Sequence, residues 1–128
     1  MGCAAAIANL NVFDSGRVLE KSTEKIKFLE DRLNQLNNLK YVGDIRNKGF
    51  MVGIELVKDR SNKESFPNTM RVGTKVGVVA REKGLIIRPL GDVIVLMPPF
   101  SASLDELDMM VRIIGDSIRD VTERSCLC

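Results

Sequence analysis

Apolar positions recur along this chain with two periods, and the switches between them mark out its elements. Residues 2–13 are alanine-rich and apolar almost all the way round, with Ile7, Leu10, Val12 and Phe13 set among Ala4, Ala5, Ala6 and Ala8. That pattern predicts a helix buried on several sides. Asp14, Ser15 and Gly16 break it and offer a cap for a second helix over residues 18–37. There Leu19 and then Ile26, Leu29, Leu33 and Leu36 are the apolar residues, the last four at 3-4-3 spacing on one face. Charged residues cover the rest, and two heptads are too few to sustain a coiled coil. An amphipathic helix lying on a sheet is the expected outcome, ended by Asn37 and Asn38.

The period then drops to two. Residues 41–46 predict a short strand, and Asn47, Lys48 and Gly49 a three-residue turn with glycine where φ must be positive. Over residues 50–57, Phe50, Val52, Ile54 and Leu56 alternate with Met51, Gly53, Glu55 and Val57, the clearest strand in the chain. Glu55 is read as a residue of the solvent face. Residues 59–68 are polar and form a loop. Thr69 is placed to cap a third helix running to Lys83, with Val72, Val76, Val79 and Ala80 on its face. Gly73 and Gly77, four apart, would let a neighbouring backbone come close, and Gly84 suits a Schellman cap with Leu85 folding back.

Residues 84–100 read as a second hairpin: Leu85, Ile86, Ile87 and Arg88 in one strand, a Pro89-Leu90-Gly91 turn, then an apolar run from Val93 to Met97 closed by Pro98 and Pro99. Ser103 and Glu106 form a capping box. The helix behind it carries Leu104, Leu107, Val111, Ile114, Ile118 and Val121 on one stripe, and residues 122–128 are expected to be a tail. Helix, helix, two strands, helix, two strands, helix gives an α+β, two-layer domain, an antiparallel sheet of two hairpins with helices packed on it, spanning residues 1–128 as one domain.

Composition narrows the chemistry. A net charge of +2 on 128 residues is too small and dispersed for nucleic acid. There is no histidine, which removes His-based triads, His-ligated zinc and the usual near-neutral general base. Cys3, Cys126 and Cys128 have neither disulfide-framework nor zinc spacing, so reduced thiols in a cytoplasm are expected and no metal site is assigned. No apolar run is long enough for a membrane span. The opening Met-Gly-Cys lacks the Ser or Thr of a myristoylation signal at Ala6, Cys126 is third from the end and makes no prenylation box, and a signal peptide would need a basic start.

Arg88 is the one strong donor fork in an apolar setting, and a guanidinium there wants a carboxylate. From spacing alone a local pair with Asp92 across the turn is favoured over a ligand site.

The same stretch resembles the C-terminal segment of class III, pyridoxal-phosphate-dependent aminotransferases of fold type I. The likeness is carried by Ile87-Arg88-Pro89-Leu90-Gly91 followed by Met97-Pro98-Pro99-Phe100, by Gly43-Asp44-Ile45-Arg46 with Gly49 and Gly53-Ile54-Glu55-Leu56, and by Gly2-Cys3-Ala4-Ala5. It covers residues 2–121, and the Ile-Arg-Pro and Met-Pro-Pro segments are most similar to the branch that serves biotin synthesis. The resemblance implies a small C-terminal domain cut from a longer, homodimeric, cytoplasmic enzyme whose N-terminal large domain is missing. It implies pyridoxal phosphate as cofactor of that parent and amino and oxo acids as its substrates, with Arg88 binding a substrate carboxylate. The lysine that carries the cofactor, the acid on its ring nitrogen and the phosphate donors belong in this family to the large domain or the partner subunit. No stretch here matches them, and Lys40, Lys48 and Lys75 sit on polar surfaces by pattern. The chain alone is therefore expected to hold no cofactor, no catalytic residue and no activity. Another class III ω-amino-acid transaminase, a small-molecule-binding regulatory module, and an interaction protein using an exposed apolar face are the competing readings.

Overall fold

The structure is a computed structural model and describes residues 2–124. The described residues form four α-helices, α1 (Gly2–Ser15), α2 (Val18–Leu36), α3 (Val72–Glu82) and α4 (Leu104–Arg119), and four strands, β1 (Val42–Lys48), β2 (Met51–Leu56), β3 (Arg88–Leu90) and β4 (Val93–Leu96). The strands make one antiparallel sheet in the order β1-β2-β4-β3, so the two hairpins join edge to edge through β2 and β4. This is the α+β arrangement the apolar periods predict. Strand alternation puts Val52, Ile54 and Leu56 of β2 and Ile94 and Leu96 of β4 on one face. Those side chains share a single core with Leu29, Leu33 and Leu36 of α2, Val72 and Val76 of α3, and Leu107, Val111, Ile114 and Ile118 of α4. Each fully buried Leu or Ile contributes about 1.5–3 kcal/mol. The hydroxyls buried among them cost little, because Ser22, Ser117 and Thr122 each donate 2.7 Å to the carbonyl four residues back.

Helix ends follow the sequence in three cases, Asn37 at the C-cap of α2 being one, and depart from it in two. Ser103 and Glu106 form the expected capping box on α4. At Gly84, φ is +92° and the Leu85 N–H donates to Ala80 O at 2.9 Å, the six-residue bond of a Schellman motif. By contrast, α2 has no side-chain cap from Asp14 or Ser15: Arg17 occupies its N-cap in the left-handed region and Ser15 Oγ donates back to Asn11 O. Thr69 likewise does not cap α3; it lies in a short 3-10 turn, Asn68–Met70, before Arg71 at the N-cap.

Other expectations need correction. Helix α1 forms but is not buried: Ile7 is 60% and Leu10 63% exposed, and its contacts are with the adjoining α2 and, through the Phe13 ring edge-on, with Phe100. Leu19, one turn ahead of the buried stripe of α2, is 65% exposed, and Leu104, at the start of α4, sits at 36%. The first hairpin turns in two residues, with Gly49 at φ +61° and Phe50 in the turn, since β1 pairs through Lys48 with Met51. The polar loop after β2 is anchored by Phe66, buried against Tyr41 with rings 5.8 Å apart. The tail expected from Thr122 starts later: Val121 and Thr122 are buried in a π-helical turn, Asp120–Arg124. Cys126 and Cys128 lie outside the described residues.

Candidate functional site

The face of the sheet turned away from the helices has no layer over it among the described residues. One row crosses all four strands on that face: Arg46 in β1, Gly53 in β2, Val95 in β4 and Arg88 in β3 are paired in succession. Arg88 stands at one end of this row, and it opens β3 where the pattern had it close a strand, because only its segment from Arg88 to Leu90 pairs with β4. Beside it lies an open groove of about 610 Å³, built from Leu85, Ile86, Ile87 and Leu90 on one side, Val95 to Pro99 on the other, and Met110 of α4. Arg88 is the one charged side chain among the described residues that lines it.

Asp92 does not neutralise this guanidinium. Its carboxylate Oδ1 accepts the N–H of Gly73, at 2.9 Å, in the first turn of α3. That is the role an N-cap side chain normally plays for its own helix, and it is supplied here from the hairpin because Arg71 makes no side-chain cap. The local ion pair expected from spacing is therefore absent, and the guanidinium of Arg88, itself exposed, has no hydrogen-bond or ion-pair partner among the described residues. Its position is nevertheless well defined by what holds β3. The Pro89 ring lies 3.3 Å from where a Cβ of Gly77 would be, and a Cβ on Gly73 would overlap the carbonyl oxygen of Gly91. The close approach expected at Gly73 and Gly77 is thus the seat of the Arg88 hairpin on α3. After β4 the chain is held by Lys25, whose Nζ donates to the carbonyls of Phe100 (3.0 Å) and Ala102 (2.6 Å).

Arg46, at the far end of the row, has the opposite fate. It is paired with Asp44 at 3.1 Å and with Glu55 at 3.3 Å, so Glu55 stays on the solvent face as expected. A second, smaller groove of about 340 Å³ runs beside it, floored by Gly53 and Val95 and flanked by Met51 and Met97.

Comparison with known proteins decides the family. A family model described as "Aminotransferase class-III" matches residues 1–118. The chain belongs to the class III aminotransferase family. It is 47% identical over 121 residues to the adenosylmethionine-8-amino-7-oxononanoate aminotransferase of Aquifex aeolicus, a match covering 94% of this chain and 27% of that protein. The crystal structure of the enzyme of that name from Methanocaldococcus jannaschii superposes with a TM-score of 0.89 at 41% identity, over 92% of this chain and 27% of the other. A thermostable (S)-enantioselective omega-transaminase from Thermomicrobium roseum gives the same TM-score at 33% identity, over 94% and 27%. The chain spans about a quarter of the length of the relatives it matches.

Class III aminotransferases depend on pyridoxal phosphate, and the residues here do not by themselves make a site for it. Such a site needs an amine to hold the cofactor covalently and a carboxylate against its ring nitrogen. The Arg88 groove is lined by neither. Lys40, Lys48 and Lys75 are exposed, and Lys25, the partly sheltered one near the groove's end, is spent on two backbone carbonyls. Among the described residues no carboxylate is buried and no helix is long and apolar enough to cross a membrane. What this segment presents is an exposed guanidinium beside an apolar groove. Sequence reading singles out Arg88 but not the cap that Asp92 supplies, whose partner is 19 residues away with no local signature, nor Met110, which lines the groove from α4.

Proposed function

We propose that this chain is the C-terminal part of a cytoplasmic, homodimeric class III aminotransferase that moves an amino group from S-adenosylmethionine to 8-amino-7-oxononanoate in biotin synthesis. In that enzyme Arg88 takes the carboxylate of the oxo-acid acceptor. The observation that carries this reading is the unpartnered guanidinium of Arg88 at the edge of an apolar groove. An acceptor with an aliphatic chain ending in a carboxylate has the matching shape and charge, and a bidentate fork gives orientation as well as affinity. Held at its carboxylate, the acceptor has its carbonyl confined to a small arc, which makes the reaction effectively unimolecular. The higher identity to proteins named for this reaction than to the omega-transaminase supports the choice of acceptor.

Pyridoxal phosphate, bound by the remainder of the enzyme, carries the amino group between donor and acceptor. The cofactor lysine and phosphate donors are assigned to the three-quarters of the relatives' length that this chain does not span. The exposed helix α1 is assigned to contacts with that remainder and with the second subunit, since large apolar surfaces are rare on monomers.

The test is a substrate panel on the full-length enzyme. Turnover with S-adenosylmethionine and 8-amino-7-oxononanoate is expected to exceed turnover with ω-amino acids and pyruvate; the reverse preference would replace this reading with a general ω-transaminase. The 128-residue chain alone, mixed with pyridoxal phosphate and treated with borohydride, is expected to give no stoichiometric adduct at one lysine. Such an adduct would overturn the assignment of the catalytic set elsewhere.

A further inference from the structure

We infer that Asp92 is a positioning residue for the acceptor, acting through Arg88; this rests on the reading of Arg88 as the carboxylate site. Three observations converge on the turn that follows Arg88. The Asp92 carboxylate caps the N-terminus of α3 through Gly73 N–H at 2.9 Å. Its backbone carbonyl accepts from Leu56 N–H, also at 2.9 Å, at the end of β2. Two of the residues between Arg88 and Asp92 lie against α3, the Pro89 ring on Gly77 and the Gly91 carbonyl on Gly73. One turn residue therefore ties the Arg88 hairpin to a helix on one side and to the central strand on the other.

The choice of Asp92 for this task has a second consequence. A carboxylate four residues beyond an arginine on a hairpin is an obvious internal partner, and a paired guanidinium would have to be released before a substrate could bind. Because a helix N-terminus favours a carboxylate, α3 holds Asp92 away from Arg88. The cap thus orients β3 and also keeps the fork open for an external carboxylate.

The experiment compares Asp92→Ala, Asp92→Asn and Arg88→Ala in the full-length enzyme, each with the acceptor acid and its methyl ester. Asp92→Ala removes the cap and lets β3 shift, and a misplacement of about 1 Å costs up to about a hundredfold. The loss is expected as a rise in KM for the acid, with kcat and the ester little affected. Asp92→Asn keeps an oxygen acceptor for Gly73 N–H and is expected to recover most of it. Equal loss for acid and ester, or no recovery in Asp92→Asn, would overturn the positioning role. So would unchanged kinetics in Asp92→Ala alongside a clear acid-specific loss in Arg88→Ala, and in that case the Arg88 reading stands. If Arg88→Ala itself treats acid and ester alike, the underlying site assignment falls, and the positioning role falls with it.

Discussion

Arg46 and Arg88 lie on the same row of the same sheet face, one at each edge strand, and they are opposite kinds of residue. Arg46 has carboxylates on both sides, Asp44 two residues before it on β1 and Glu55 across on β2, so its charge is spent within the first hairpin. Arg88 has a proline after it, valine across from it, and an aspartate nearby that a helix has taken. The two hairpins share a fold and a surface, yet only the second leaves a guanidinium without a partner. An arginine's neighbours therefore say less about its role than what else competes for those neighbours: Asp92 stands as close to Arg88 in the chain as many ion-pair partners do, and is lost to it.

The largest effect that this contrast predicts is at Arg88. Replacing it with alanine in the full-length enzyme is expected to cost about 2–5 kcal/mol in acceptor binding, the usual loss when one member of a desolvated charge pair is removed. The loss should be confined to the acid, small for the methyl ester, and only partly restored by lysine, which offers a point charge in place of a fork. Steady-state kinetics with both acceptors check this. Equal weakening of acid and ester, or unchanged kinetics with a lower melting temperature, would make Arg88 a structural residue like Arg46.

Next comes the seat of the second hairpin. A methyl group at Gly73 would run into the carbonyl oxygen of Gly91, and overpacking of this kind costs about 1–3 kcal/mol. Gly73→Ala should lower the denaturant midpoint of the chain, while the first hairpin, which has no such contact with α3, keeps its amide-exchange protection. Uniform loss of protection in both hairpins would mean that the sheet responds as one body and that the contrast between its two ends is not mechanical.

Much of this is legible in the amino-acid pattern alone. The helical stripes of α2 and α4 and the alternation of β2 name most of the core, since a period of 3.6 or 2 leaves few places for an apolar face to go. Arg88 stands out because it interrupts an apolar run. What is not legible comes from long range. The cap on α3 joins residues 19 apart, and the exposure of Leu19 and Leu104 depends on where neighbouring elements stop, which no local pattern encodes. Helix α1 is the instructive failure. Its all-round apolar sequence predicts burial, and the described residues supply no surface to bury it. The pattern reports what the helix needs, and whether the need is met depends on what surrounds it.

A control that touches neither arginine is the cap of α4. Ser103→Ala removes the hydroxyl that accepts Glu106 N–H and should cost about 1 kcal/mol of stability with no change in acceptor KM. The same box predicts a pH dependence. The Ser103 N–H and then its hydroxyl hold the Glu106 carboxyl below its ordinary value of 4.5. A carboxylate whose pKa is depressed by folding adds stability that is present above its unfolded value and lost as the pH falls through the folded one. The stability gap between the parent chain and Glu106→Gln should therefore shrink below about pH 4.5. A gap that stays constant across that range in urea titrations would mean the carboxylate's charge contributes nothing to the cap.

The smallest effect, and the one that sharpens the contrast most, is expected at Arg46. Its guanidinium is well exposed and its partners are half in solvent, and exposed pairs of this kind contribute roughly 0–1 kcal/mol because side-chain entropy and screening offset most of the attraction. Arg46→Ala should accordingly shift the denaturant midpoint slightly, and the shift should fade in high salt as screening removes what the pair contributed. In the full-length enzyme the acceptor KM should not move, because a guanidinium already bound to two carboxylates has little left to offer a third. A rise in KM for the acid comparable to that in Arg88→Ala would show that the pairing with Asp44 and Glu55 opens when substrate arrives. The two ends of the row would then act together, and the distinction between a spent and an available arginine would fail at its simplest point.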